Sequence, residues 1–458
     1  MPASRSFHRF AFMLPAAVVL GAALLVGLAA DASAAPSGSL LWSRITSGVV
    51  TAQGDDVLDS AKGPDGSVYL CGVYLWPAAS GYVWAARYSS SGKLLWLRKY
   101  GEAQGIDANG EACVVDRFGN LFVAGEAVYG ANMDMFLVKY SPSGARQWVQ
   151  HYDGPAAGQD YAYDLAVDSD GSAYLGGTST GVGTGLDLTV VKYDAAGVYQ
   201  WAGRLDGLAS GADEVGAIVI DGARNTYLAG SSADGSGRTL IAIAKFNAAG
   251  AFQHETLYLP AGATSTTVCA AALRGATVSV AASASGGPNG GDIVLARCGT
   301  DGGLTPPVLW DGPAHLDDIA ADLEADAAGN VWIAGTTYAD VSNGRAVLLR
   351  FAPDGSLTWQ RRYLRSGIVD SSYLDLVVRG GTAWCTGWRS PAVNKADVLV
   401  TRYTPAGART WVRAWDGLAH RWDYGITVCL SGTTGLYVGG GTTRRSTGMD
   451  PVVVKYRR

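Results

Sequence analysis

The chain has 458 residues, with 35 basic and 40 acidic side chains for a formal charge of −5, and 62 glycines. That mildly acidic balance speaks against nucleic acid as a partner. Low charge content with abundant Gly, Val, Tyr and Trp fits an all-β protein rich in tight turns.

Arg5, His8 and Arg9 open the chain, an apolar run from Phe10 to Ala30 follows, and Ala32-Ser33-Ala34 ends it. This is the pattern of a signal peptide over residues 1–34, the alternative being an uncleaved anchor, since the run nears membrane-spanning length. With the leader removed, no apolar stretch is left that could span a bilayer. A secreted or periplasmic protein, acting as a monomer, is expected.

From residue 35 onward a basic residue followed by an aromatic one recurs at intervals of 52 or 53. The pairs are Arg87-Tyr88, Lys139-Tyr140, Lys192-Tyr193, Lys245-Phe246, Arg350-Phe351, Arg402-Tyr403 and Lys455-Tyr456, with Arg297-Cys298 as the degenerate member. A fixed period of this length marks a repeat architecture. Residues 160–207 show the unit best. Four strand-like runs (164–167, 173–176, 188–193 and 198–204) are each closed by turn chemistry, such as Asp168-Ser169-Asp170-Gly171 and Asp194-Ala195-Ala196-Gly197. Four short antiparallel strands per unit, repeated around a ring, predict a β-propeller, and residues 35–458 read as one domain of eight repeats of about 53 residues.

The last unit ends after three strands. Its missing fourth is found at the other end, where Gly38-Ser39-Leu40-Leu41-Trp42-Ser43-Arg44 matches Gly92-Lys93-Leu94-Leu95-Trp96-Leu97-Arg98. The N-terminal strand is therefore expected to close the eighth blade and remove an open sheet edge. Trp42, Trp96, Trp148, Trp201, Trp359 and Trp411 each stand four residues after a turn glycine, with His254 in the fourth unit's place. Large flat side chains at one repeated position are expected to fill the seams between blades. The basic heads beside the aromatics are expected to reach solvent.

The pattern Asp…DLAVDxxGxxYLxGxT…DxxVVKYxxxGxxxW resembles the bacterial β-propeller repeat called the SBBP repeat, over nearly all of the chain after the leader. The resemblance implies a secreted or surface protein and brings no catalytic residues with it. The Gly-x-x-x-Trp spacing also resembles the tryptophan-docking motif of eight-bladed quinoprotein dehydrogenases. The turn here is one residue shorter and no two cysteines are adjacent, so that likeness speaks to architecture and not to quinone chemistry.

The candidate ligand or cation site is a set of blade-opening acids: Asp107, Asp160, Asp213, Asp317, Asp370 and Asp423. If first strands line the channel, these carboxylates would ring one mouth. Ca²⁺ is the cation such oxygens would select; no other cofactor is predicted. The competing structural role is that each Asp caps its own turn. His315 and His420, both in Trp-Asp-Gly-x-Ala-His, are rim candidates for ligand binding or acid–base work. The six cysteines suit buried thiols better than a regular disulfide framework: the pair Cys71/Cys113 and the pair Cys385/Cys429 differ from each other by one residue at both ends, so the two pairs face opposite sides of the pleat and at most one should bridge a blade seam. No triad, phosphate loop or zinc-spaced cluster is present, so no catalytic residue is assigned. The functional expectation is a binding scaffold for an extracellular protein, polysaccharide or small molecule. The alternative is an extracellular hydrolase, lyase or oxidoreductase working at the channel mouth.

Overall fold

The computed structural model describes residues 37–46, 55–75, 81–101, 106–287, 290–340, 342–392, 395–444 and 448–458. The expected signal peptide lies outside the described residues. Thirty-two strands form eight antiparallel four-stranded sheets, and no helix occurs among the described residues. Blades 1 to 7 occupy residues 55–100, 108–152, 160–205, 214–258, 265–310, 318–362 and 370–415, each with its strands in sequence order. Blade 8 takes Asp423–Ser431, Gly435–Arg444 and Gly448–Arg457 from the C-terminus. Its outer strand is Leu40–Ile45, antiparallel to the last of these with Ser43 opposite Val454. First strands of neighbouring blades touch all the way round, including blade 8 against blade 1, so they form the inner wall.

Each first strand carries a β-bulge, for example between Ala162 and Asp164. A bulge sharpens the strand's twist and re-aims its side chains. Opposite it the second strand has a glycine in every blade but the fifth, where Ala282 stands: a Cβ on Gly125 would sit 1.9 Å from the Asn109 carbonyl oxygen. The core lies between blades, in clusters such as Tyr69, Val83, Trp96, Val123 and Phe136 at the seam of blades 1 and 2.

The period-53 motif is seam hardware. Trp96 lies beneath the turn glycine of the next blade, where Gly144 has φ +82° and a Cβ would stand 2.7 Å from the indole. The same indole donates from Nε1 to the Pro142 carbonyl at 3.0 Å. Trp148, Trp201 and Trp359 repeat this bond to Ala195, Ala248 and Pro405. At ring closure Trp411 lies under Gly38 and donates to Ser37 Oγ at 3.1 Å. The basic heads depart from the sequence expectation. Lys139 Nζ donates to the Ala195 carbonyl at 2.9 Å and Lys455 Nζ to the Ser90 carbonyl at 2.6 Å, both on the next blade's turn, and both side chains are buried. Each ammonium also stands over a second-strand ring, 4.8 Å from Phe122 and from Tyr437. The aliphatic stem packs as predicted, but the charge ties one blade to the next instead of facing water.

Candidate functional site: carboxylates at the blade junctions and channel wall

The blade-opening acids fall into two register sets. Counting from the bulge, Asp160, Asp213 and Asp423 share a position with Asp55 and Asp318. Asp107, Asp317 and Asp370 lie one residue earlier, where Ala108, Asp318 and Ser371 take the shared position. The earlier acids reach the preceding blade: Asp107 accepts from the Gly81 N–H, Asp317 from Gly291 N–H at 2.8 Å, and Asp370 from Gly344 N–H. Those in the shared position turn into the junction behind them. Asp160 accepts from the N–H groups of Gly154 (2.7 Å) and Thr180 (3.2 Å), Asp213 from those of Gly207 (2.9 Å) and Ala233 (3.0 Å). Asp423 accepts from Gly417 N–H at 2.6 Å and from Thr442 Oγ1 at 2.5 Å. All three are sealed from solvent. Burial raises each carboxyl, Asp423 and Asp370 to about 6.

What converges on these acids was not visible in the sequence. A third-strand Asp and an Asp from the Asp-Gly loop of one blade meet the first-strand Asp of the next. The triads are Asp134/Asp153/Asp160, Asp187/Asp206/Asp213 and Asp292/Asp311/Asp318, each with carboxylate oxygens within 4.8 Å of one another. Burial and the two companion acids push Asp134 up to about 6, and burial pushes Asp318 to about 6. Asp187 shares its charge with Arg204, 2.8 Å away. A fourth junction, between blades 7 and 8, has Asp397, Asp416 and Asp423, and there Lys395 Nζ stands 2.8 Å from Asp416 and 3.8 Å from Asp397.

The two candidate histidines belong to the same loops. His315 and His420 have φ of +53° and +52°, a left-handed conformation that Ala157 also adopts in its own loop. Their Nδ1 atoms lie 2.6 Å from Asp311 and 2.8 Å from Asp416, and both rings are exposed. The hydrogen bond and charge of Asp311 raise the pKa of His315. Asp168, in the expected turn Asp168-Ser169-Asp170-Gly171, caps that hairpin turn: its Oδ1 accepts from the N–H of Asp170 and Ser172.

Other acids staple first strands together. Asp59, Asp164, Asp322 and Asp375 accept from the backbone N–H of Cys113, Ile218, Leu376 and Val428 in the next blade. All six cysteines are thiols, and Cys71 and Cys113 are hydrogen-bonded neighbours across the seam of blades 1 and 2.

One sector of the inner wall breaks the repeat. In blades 2 to 4, Tyr161 and Tyr163 stack at 6.1 Å with ring planes 7° apart. Asn109 donates from Nδ2 to Glu126 Oε1 at 3.1 Å and contacts Glu111. Burial raises the Tyr163 phenol, and the charges of Glu214, Glu126 and Glu111 raise it further. Farther round, Tyr424 of blade 8 donates to Asp56 Oδ2 of blade 1 at 2.6 Å, and burial lifts Asp56 to about 7. This carboxyl can hold or release a proton near neutral pH.

The geometry defines an eight-bladed β-propeller with acid-rich junctions and a non-repeating acidic, aromatic wall sector. No protein-family model and no characterised protein sequence matches the chain. Similar solved structures include the polysaccharide lyase Uly1 (11% identity, 76% of this chain and 90% of that one, TM-score 0.46). The periplasmic gluconolactonase PpgL of Pseudomonas aeruginosa is 12% identical over 78% of this chain and 97% of its own, TM-score 0.46. The WD40 domain of SCAP from fission yeast is 9% identical over 90% and 98%, TM-score 0.47. Likeness at this level carries no activity across, and the fold rests on the chain's own strand pairing. No helix among the described residues is long and apolar enough to cross a membrane.

Proposed function

We propose that this protein is an exported propeller of the SBBP-repeat kind, secreted or periplasmic after loss of residues 1–34, and that it works as a binding scaffold. The observation that carries the reading is the division of labour among its residues. Tryptophans, turn glycines, basic heads and stapling acids recur from blade to blade and are consumed in seams. What does not recur is the wall sector of Tyr161, Tyr163, Glu111, Glu126 and Glu214. Repetition serves the scaffold, whereas a specific ligand calls for a departure from it. Parallel aromatic faces beside carboxylates suit a ligand with hydroxyl or ammonium groups, such as a neutral or amino-bearing saccharide.

A glycan array followed by calorimetric titration of the best binder tests this. Tyr163→Ala and Glu111→Gln should each weaken binding at least about tenfold while leaving the circular dichroism spectrum unchanged. Binding that is indifferent to both substitutions would refute the site.

The enzyme reading is favoured by one observation, the Asp56 carboxyl lifted to about 7 against the Tyr424 hydroxyl. It predicts turnover of a bound ligand that rises or falls through pH 7 and vanishes in Asp56→Asn. Binding without turnover excludes it.

A further inference from the structure

We propose that the junction of blades 2 and 3 is a binding site for a hard divalent cation of the calcium class, held by Asp134, Asp153 and Asp160. Two oxygens bound to one Ca²⁺ at about 2.4 Å can lie no more than about 4.8 Å apart. The three carboxylates offer oxygens within that span. Asp153 is exposed while the other two are buried, so the cation would be reached from solvent and could keep water among its ligands.

Proximity of acids alone would not suffice; the state of Asp134 points to a missing partner. It is only 5% exposed, no donor or base acts on it among the described residues, and its carboxylate lies against two other acids. A carboxylate with two acidic neighbours and no protein donor lacks the countercharge that ordinarily offsets its partial burial. The groups that act on Asp134 are its own burial, Asp153 and Asp160, and none is basic. Arg204, whose guanidinium lies beside Gly154, is committed to Ser179 and to Asp187 of the next junction. Asp187 in turn keeps a buried Oδ1 with no hydrogen-bond partner.

The molecule supplies its own comparison. At the junction of blades 7 and 8 the same three positions are Asp397, Asp416 and Asp423, and Lys395 puts an ammonium among them. Lys395 stands two residues before the third-strand acid. The corresponding residue at the junction of blades 2 and 3 is Asn132, which is neutral and donates to the Ala157 carbonyl. One junction thus carries a built-in cation where the other carries three acids and none. The junctions at Asp213 and Asp318 are intermediate, with Arg204 on Asp187 and His315 on Asp311.

The test is titration of CaCl₂ into the EDTA-stripped full-length protein, with scanning calorimetry of the same samples. Wild type should bind calcium and gain a few degrees in Tm at millimolar CaCl₂. Asp134→Asn should lose at least tenfold in calcium affinity yet melt no lower than wild type in EDTA, because a mutual repulsion is gone. Asn132→Lys, which copies the Lys395 arrangement, should raise the Tm in EDTA and reduce the calcium gain. Absence of heat and of any Tm shift in wild type would overturn the proposal. So would a calcium response unchanged in both variants, or an Asp134→Asn protein that fails to fold in EDTA.

Discussion

Trp96→Ala removes the indole that joins blade 1 to blade 2, and its cost follows from what the ring touches. The side chain is buried, packs edge-on to Tyr69 at 5.8 Å, and donates to the Pro142 carbonyl. Truncating such a ring costs about 3–5 kcal/mol. Gly144→Ala attacks the same contact from the other side. Its φ of +82° costs about 1–2 kcal/mol for any L side chain, and the new Cβ would meet Trp96 Cγ at 2.7 Å. With Trp96 already removed the clash disappears and the backbone strain alone remains. The double variant should therefore be more stable than the sum of the singles by at least about 1 kcal/mol. Urea denaturation followed by far-ultraviolet circular dichroism measures all three. Strict additivity, or a loss below about 1 kcal/mol for Trp96→Ala, would refute the docking argument.

Asp164→Ala removes the carboxylate that accepts Ile218 N–H at 2.9 Å and leaves that amide without its partner across the seam of blades 3 and 4. The expected loss is about 1–3 kcal/mol by denaturant titration, and no loss would show that the staple carries nothing. Asp56 tests the pH dependence. Burial raises its folded pKa to about 7, above its ordinary value, so the fold favours the protonated form. Stability from this group is complete below pH 4 and falls as pH rises toward 7, with a slope of at most about 1.4 kcal/mol per pH unit. Glu324, lifted to about 7 by burial, acts with the same sign. Asp56→Asn should flatten the fall in Tm between pH 4 and 7.5; an unchanged slope would contradict the assignment.

The fold was legible because its cues are local. Turn glycines, Asx turns such as Asp194 with the Ala196 and Val198 amides, and a Trp four residues on recur at a fixed period. The closing strand could be found from seven residues because it repeats the 92–98 segment. The site was far less legible. Asp317 and Asp318 are adjacent, and only strand pairing, with Asp318 opposite Thr337, shows which one shares the junction position. A triad such as Asp134, Asp153 and Asp160 joins residues on two blades, and its meeting is set by how one blade passes into the next and not by any local period. Its loop member, Asp153, stands in an Asp-Gly pair, the composition of an ordinary turn, which hides its meeting with the other two. The destination of Lys139 was equally hidden, since the carbonyl it binds lies 56 residues away.

The central claim is a ring of eight blades closed by the strand Leu40–Ile45 on Gly448–Arg457. Amide hydrogen exchange tests it most directly. The amides of Val453 and Lys455, which face the strand Leu40–Ile45, should be protected to the same degree as those of their counterparts Val190 and Lys192 in blade 3, and should lose that protection when the chain is begun at residue 47. Equal protection with and without residues 37–46 would contradict the closure.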